Sequence, residues 1–113
     1  MTPEAFDAVC AGLPGTRMDV QWGGENVWKV GDKMFAVRSP DGGFSFKASD
    51  IAFEVLTETG PGKPAPYLAR AKWVWFEALS GQDEADVADW LKTAYGLIAA
   101  KLTRKQQAEL GLP

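Results

Sequence analysis

Residues 26–38 read NVWKVGDKMFAVR, and this stretch decides the fold because apolar and polar side chains alternate on both sides of a Gly-Asp pair. A glycine in such a pair accepts the positive φ angle that a two-residue hairpin loop requires. The spacing predicts a β-hairpin in which Val30 lies opposite Lys33 and Trp28 lies opposite Phe35. Lys33 is then expected at the rim of an apolar sheet face, with its ammonium group free to reach around the edge.

The same alternation continues on both sides of the hairpin. Val37 is predicted on the same side as Phe35, and the period of two predicts further strands at residues 17–22, 44–47 and 72–78. In the first of these strands, Trp22 is expected to share an apolar face with the two residues Met18 and Val20.

Four polar residues mark the expected helix starts: Thr2, Ser49, Asp83 and Thr103. The second helix is predicted to run for about ten residues and to turn four side chains inward, namely Ile51, Ala52, Val55 and Leu56. Residues 60–66 are rich in glycine and proline, which excludes a helix or a central strand there. The order of elements predicts an α+β fold, with an antiparallel sheet and helices packed on one face.

Composition narrows the class of protein. The chain has 113 residues, so one domain over residues 1–113 is expected, and its net charge of −3 weakens the case for strong nonspecific nucleic-acid binding. With no histidine, imidazole metal sites and histidine-based triads are excluded. Cys10, the single cysteine, has helical spacing to apolar neighbours and is predicted to be a buried hydrophobe. No membrane-spanning run is present, so a cytoplasmic location is expected, with a monomer favoured.

Several short words of sequence, in the same order, resemble the MmcQ/YjbR-like family. They are Leu13-Pro14-Gly15, Trp22-Gly23, the run from Trp28 to Ala36, Phe46-Lys47, Pro66-Tyr67-Leu68, Lys72-Trp73-Val74 and the run from Tyr95 to Leu102. The resemblance implies a bacterial protein with a CyaY-like (frataxin-like) α/β sandwich, also described as a double wing. It also implies DNA binding, with the family's hairpin and third-strand lysines matching Lys33 and Lys47. A serine usual in the family before the tyrosine is replaced here by Ala94.

The first functional hypothesis is therefore weak, salt-dependent DNA binding by the hairpin face. Basic side chains of the strand region are expected to contact phosphates; they are Lys29, Lys33, Arg38, Lys47, Lys63, Arg70 and Lys72. Trp28 or Trp73 is expected to stack on unpaired bases.

The second hypothesis is a binding module for a small anionic ligand or a protein partner. Lys33 and Lys47 supply point charges and Tyr67 a directional donor, with residues 60–66 forming a lip.

No enzyme, cofactor or metal is predicted. The acids between residues 83 and 89 suit a helix N-terminus, and Glu4 and Asp7 make only a sparse acidic surface. The Gly-Pro-Gly-Lys run at residues 60–63 lacks the spacing and the hydroxyl residue of a phosphate-binding loop.

Overall fold

The computed structural model describes residues 1–112 as one antiparallel sheet with helices on one side. In chain order the elements are α1 (Pro3–Ala11), β1 (Thr16–Gln21), β2 (Glu25–Val30), β3 (Lys33–Arg38), β4 (Phe44–Lys47), α2 (Asp50–Glu58), β5 (Lys63–Pro64), β6 (Trp73–Phe76), α3 (Glu84–Ala99) and α4 (Arg104–Glu109). The strand order is β1-β2-β3-β4-β6-β5, and every neighbouring pair is antiparallel. The predicted α+β class is confirmed.

All four predicted helix starts carry a side-chain cap. The hydroxyl of Thr2 accepts a hydrogen bond from the amide of Ala5 at 3.1 Å, and Ser49 and Asp83 cap α2 and α3 in the same way. Thr103 forms the predicted capping box with Gln106. Within residues 1–112, no helix combines the length and apolar character needed to cross a membrane.

The central hairpin has the predicted turn but a different register beyond it. Val30 pairs with Lys33 as expected, whereas Trp28 pairs with Ala36 because the register shifts at a bulge between Trp28 and Lys29. The predicted pairing of Trp28 with Phe35 is therefore wrong. Because of the extra residue, Val37 faces away from Phe35, and the two side chains belong to different apolar clusters.

The main core lies between the sheet and the helices, and aromatic rings dominate its centre. Phe44 and Phe76 stack with their ring centroids 4.9 Å apart, and Trp90 of α3 stacks on Phe76 at 5.1 Å and on Phe46 at 5.5 Å. The three phenylalanines are each 1% exposed. Offset-stacked rings of this kind gain energy beyond the area that they bury, so this layer joins α3 to β4 and β6.

The predicted inward face of α2 is correct at two of its four positions. Ala52 and Leu56 pack against the core as expected, and Phe53 joins them. The expectation for Ile51 and Val55 is wrong, because they are 77% and 55% exposed. Residues 60–66 form no helix and no central strand, as predicted, and Lys63–Pro64 adds a two-residue strand at the edge of the sheet, where proline is tolerated.

Two glycines provide a matched test of packing. A Cβ on Gly62 would lie 2.6 Å from Val74 Cγ1 and 3.1 Å from the Leu56 carbonyl, whereas a Cβ on Gly96 in α3 would meet nothing within 4 Å. We expect Gly62→Ala to lower the free energy of unfolding by about 2 kcal/mol through overpacking. Gly96→Ala is expected to raise it by about 0.5–1 kcal/mol, since alanine favours a helix. Urea unfolding measures both, and equal effects would contradict the packing around Gly62.

Candidate functional site

Other segments of the polypeptide cover only part of the sheet face that lies opposite the helices. Residues 65–72 cross this face, and their side chains Ala65 and Leu68 pack against the side of β2, β3 and β6 that faces away from the helices. A second, smaller apolar cluster results, with Val27, Val37 and Trp73 buried in it. The rest of this face, which we call the open face, is not covered by any element of residues 1–112.

An apolar groove of about 580 Å³ lies on the open face. The strands line it with Met34, Val37, Ser45 and Trp75, and the loops line it with Trp22, Pro66, Tyr67 and Leu68. Small-molecule sites typically have volumes of roughly 300–1,000 Å³ and mostly apolar walls with few polar groups. The groove therefore has the size and lining of a ligand site.

Two aromatic residues beside the groove have unusual backbone conformations and exposed side chains. Trp22 has a φ of 51° and is 65% exposed, and Tyr67 has a φ of 66° and is 104% exposed. A positive φ is uncommon for non-glycine residues and unfavourable for bulky ones. Trp22 was expected in a strand with Met18 and Val20. That expectation is wrong, because β1 ends at Gln21 and Trp22 begins the turn into Gly23.

One polar group in the groove lacks a partner. Glu25 lines the groove at the start of β2, and its Oε2 is buried without a hydrogen-bond partner among residues 1–112. The ion pairs found in this part of the chain involve other carboxylates, those of Asp7 and Asp19. Buried carboxylate oxygens are normally paired, so Glu25 is an unsatisfied acceptor in an otherwise apolar groove.

Of the predicted site residues, Tyr67 is the one that lines the groove. Arg38 instead forms a two-point ion pair with Asp7 of α1, with Nη2 2.7 Å from Oδ2 and Nε 3.0 Å from Oδ1, and its side chain is only 11% exposed. This pairing corrects the expectation that Arg38 contacts a ligand, because its nearly buried guanidinium is engaged through two of its nitrogens by Asp7.

The predicted base-stacking tryptophans are also corrected. Trp73 is 3% exposed and Trp28 is 7% exposed, so neither has a free ring face for a base. The indole N–H of Trp28 donates to Asp7 Oδ1 at 3.2 Å, which joins it to the same structural ion pair. Trp28 is buried in the core between the sheet and the helices, and Trp73 is buried under residues 65–72 on the other sheet face. A sequence pattern does not reveal which other segment will cover a strand residue.

The other basic residues of the predicted site, apart from Lys47, are either paired with an acid, exposed to solvent or placed over an aromatic ring. Lys29 lies 3.1 Å from Asp19 Oδ2, and its hydrogen bond lowers the pKa of Asp19 below its usual value. Lys33 and Lys63 are exposed, as is Arg70 in a short 3₁₀ turn. Lys72 has a φ of 62° and places its ammonium 5.0 Å from the centre of the Phe53 ring.

Lys47 lies within a small group of like charges. Its Nζ donates to the carbonyl of Ala71, and its pKa is lowered by burial first, then by the nearby Lys101, with a smaller contribution from Lys72 and an opposing one from Asp50. We call Lys47, Lys72 and Lys101 the lysine cluster. Antiparallel pairing places the end of β4 beside the start of β3, so Lys33 lies at the same end of the sheet.

The lowered pKa of Lys47 predicts a pH dependence. Folding favours the neutral form of Lys47, so the folded chain loses this proton at a lower pH than the unfolded chain does. Between the two pKa values the unfolded chain holds more protons than the folded chain, and stability therefore increases with pH up to the unperturbed pKa of 10.5. We expect Lys47→Gln to remove this increase, measured as the difference in Tm between wild type and variant from pH 8 to pH 10.5. A constant difference over that range would contradict the like-charge environment. The raised pKa of Tyr95, caused by burial, affects both proteins equally.

The single thiol of the chain and its carboxylates lie in the following surroundings. Cys10 is fully buried, as predicted, and burial raises the pKa of its thiol well above the ordinary value. Among residues 1–112, no three or more cysteine or carboxylate side chains come together as a possible metal site. The polar chemistry available at the groove is therefore that of Glu25, Tyr67 and the two serines Ser39 and Ser45.

Three site residues were missed at the sequence level. Trp22 precedes two glycines, which is a turn signal that favours an exposed position over a strand. Glu25 carries no sequence signal, because a single acid at the start of a strand is common. Lys101 follows a helix and approaches Lys47 only through the tertiary fold.

The fold and the groove define a class of small α+β proteins. Their helices pack on one face of the sheet, and a ligand-sized groove lies on the other. The YjbR family model matches residues 11–97, and the chain belongs to the YjbR family. The crystal structure of Deinococcus radiodurans protein DR2400, with a DUF419 domain, is similar with a TM-score of 0.87 and 26% identity, over 99% of this chain and 89% of that chain. No curated protein matches the sequence.

Proposed function

We propose that this YjbR-family chain is a non-catalytic binding protein that holds a small molecule in the open-face groove. The observation that carries the proposal is the pair Trp22 and Tyr67, two exposed aromatic side chains in left-handed backbone conformation beside one apolar groove. Each such residue costs about 1–2 kcal/mol relative to an ordinary conformation. Strained residues of this kind cluster at binding and active sites, where the geometry that they hold is useful.

The apolar lining favours binding over catalysis. Trp75, Met34 and Val37 offer surface for an apolar ligand but no acid, base or nucleophile. A hydroxyl or carboxylate acts in catalysis only when a second group orients or activates it. The groove instead resembles sites in which aromatic contact supplies affinity and a few polar groups supply orientation.

The test is a titration with benzyl alcohol, a small neutral aromatic probe, followed by the indole N–H signals of the tryptophans in an NMR spectrum. We expect shifts at Trp22 and Trp75 and in the backbone of residues 65–68. Tyr67→Ala is expected to weaken binding about fivefold through loss of an aromatic contact.

The control is Val20→Ala, a change at a 64% exposed residue of β1 that does not line the groove. It should leave the affinity unchanged. Shifts confined to other parts of the chain, or no shifts at millimolar probe, would contradict the groove as the binding site.

A second candidate function is the DNA binding implied by the family resemblance, and the lysine cluster is the specific observation that favours it. Three ammonium groups near one end of the sheet, with Lys33 nearby, form a local positive surface on a chain of net charge −3. The pKa of Lys47 is lowered first by burial and then by repulsion from Lys101, and a phosphate placed there would relieve that repulsion. Contacts of this type bind the phosphate backbone and read no sequence.

We expect weak binding of short single- and double-stranded DNA at low salt, lost near physiological salt. Replacing Lys33, Lys47 and Lys101 together with alanine should reduce the slope of log affinity against log salt by about one for each phosphate-contacting lysine. Lys105→Ala, at an exposed lysine of α4, is the matched control and should change the slope little. Equal slopes for the triple variant and the wild type would remove DNA from the proposal. The cytoplasmic location and monomeric state expected from the sequence stay predictions.

A further inference from the structure

The unpartnered carboxylate of Glu25 gives the groove a chemical preference. We infer that the groove takes a small organic ammonium compound, with an apolar body among the groove's aromatic side chains and an N–H group donating to the carboxylate of Glu25, which lines the groove. This inference rests on the proposed function, because it names the class of ligand for the same groove.

The first step concerns what Glu25 lacks. Its Oε2 is buried and without a hydrogen-bond partner among residues 1–112, and none of the ion pairs of that region includes Glu25. An unsatisfied buried acceptor costs roughly 1–3 kcal/mol, and more when the acceptor is charged. A ligand that donates a hydrogen bond to the Glu25 carboxylate supplies the partner that the chain does not, whereas an anionic ligand would add like-charge repulsion.

The second step concerns the surroundings of Glu25. The groove is lined by Trp22, Tyr67 and Trp75, and aromatic faces attract cations through their negative quadrupole. Among residues 1–112, no lysine or arginine lines the groove, so this part of the chain supplies no cation there. A carboxylate among aromatic rings is suited to an ammonium group and unsuited to a carboxylate or phosphate ligand.

The third step separates this site from the lysine cluster. Glu25 begins β2 and Ser39 follows β3, so this part of the groove lies at one end of the sheet. Lys33 begins β3 and Lys47 ends β4, at the opposite end. Anion binding and ammonium binding are therefore assigned to different ends of the sheet and can be tested independently.

The test compares three probes of similar size with the intact chain by NMR titration at pH 7: protonated benzylamine, benzyltrimethylammonium and benzyl alcohol. Benzylamine is expected to bind about tenfold more tightly than benzyl alcohol, since a hydrogen bond between charged groups is worth roughly that factor. Benzyltrimethylammonium carries the charge but no N–H donor, so it should fall between the two. Glu25→Gln should abolish the preference for benzylamine over benzyl alcohol, because glutamine carries no charge to pair with the ammonium.

The outcomes separate the inference from the proposed function. Equal binding of benzylamine and benzyl alcohol to the wild type, or a preference that survives in Glu25→Gln, would overturn the ammonium inference while the groove remained a ligand site. Failure of all three probes would overturn both. A Tm for Glu25→Gln equal to or above that of the wild type verifies folding, because the substitution removes a carboxylate that has no partner among residues 1–112. Tighter binding of a lysine-containing tripeptide than of benzylamine would overturn the assignment to a small molecule.

Discussion

Phe76→Ala is expected to lower the free energy of unfolding by about 4 kcal/mol, the largest effect of any substitution considered. Phe76 is 1% exposed and stacks on Phe44, Phe46 and Trp90 with centroids 4.9, 6.0 and 5.1 Å away. Its removal leaves a cavity between β6 and α3, because the neighbouring rings are rigid and already packed and cannot move far enough to fill the space. Urea unfolding followed by tryptophan fluorescence measures the loss of stability. In a thermal unfolding experiment the same loss should lower the Tm by about 15 °C.

The control for Phe76→Ala is Ile51→Ala on α2. Ile51 is also a large apolar residue, but it is 77% exposed, so its truncation should change stability by no more than about 0.5 kcal/mol. A loss below about 1.5 kcal/mol for Phe76→Ala would mean that the aromatic layer is less tightly packed than the ring distances indicate.

Asp7→Ala is expected to lower the free energy of unfolding by about 3 kcal/mol, because it leaves a nearly buried guanidinium without its partner. The Asp7 carboxylate accepts three hydrogen bonds, two from Arg38 and one from the indole of Trp28, and these contacts link α1 to β2 and β3. Chemical denaturation measures the effect, and a double-mutant cycle with Arg38→Ala isolates the pair. The coupling energy should be a large share of the loss.

The matched control for Asp7→Ala is an exposed ion pair on the other side of the sheet. Arg17 Nε lies 3.6 Å from Asp19 Oδ2, and the Arg17 side chain is 55% exposed. Arg17→Ala should cost no more than about 1 kcal/mol, as is typical of solvated pairs. If Asp7→Ala and Arg17→Ala had equal effects, Arg38 would not depend on Asp7 and would be available to a ligand after all.

The positions of these residues separate stability from the site. Phe76 and Asp7 act on the helix side of the sheet, whereas Trp22, Glu25 and Tyr67 line the groove on the other. Substitutions at the groove are therefore expected to change ligand affinity with small effects on Tm. A loss of binding in Glu25→Gln or Tyr67→Ala can then be assigned to the groove and not to unfolding.

Local sequence was a reliable guide wherever a short stretch of chain supplies the physical cause. The caps Thr2 and Thr103 were predictable because each satisfies amides within three residues of itself. The turn at Gly31 was predictable because a positive φ, 62° here, suits glycine. The burial of Cys10 followed from helical spacing. The family was also recognisable, since its motifs are short words in a set order.

Prediction failed where two distant segments decide the outcome. The bulge that moves the partner of Trp28 from Phe35 to Ala36 breaks the simple alternation on which the predicted register was based, and no local pattern marks its position. Trp73 was predicted to be accessible, yet residues 65–72 fold back over part of the sheet face opposite the helices and bury it. Arg38 has the sequence context of a phosphate-binding residue, but Asp7, 31 positions earlier, takes up its guanidinium.

The sequence by itself determined the α+β class, the helix starts, the central hairpin turn and membership of the YjbR family, because each depends on neighbours along the chain or on motif order. Only the tertiary structure decided the site. The groove forms where a loop covers part of one sheet face and leaves the rest open, and the unpartnered Glu25 is defined by which groups fail to reach it. Both are properties of packing between remote segments, which periodicity and composition do not specify.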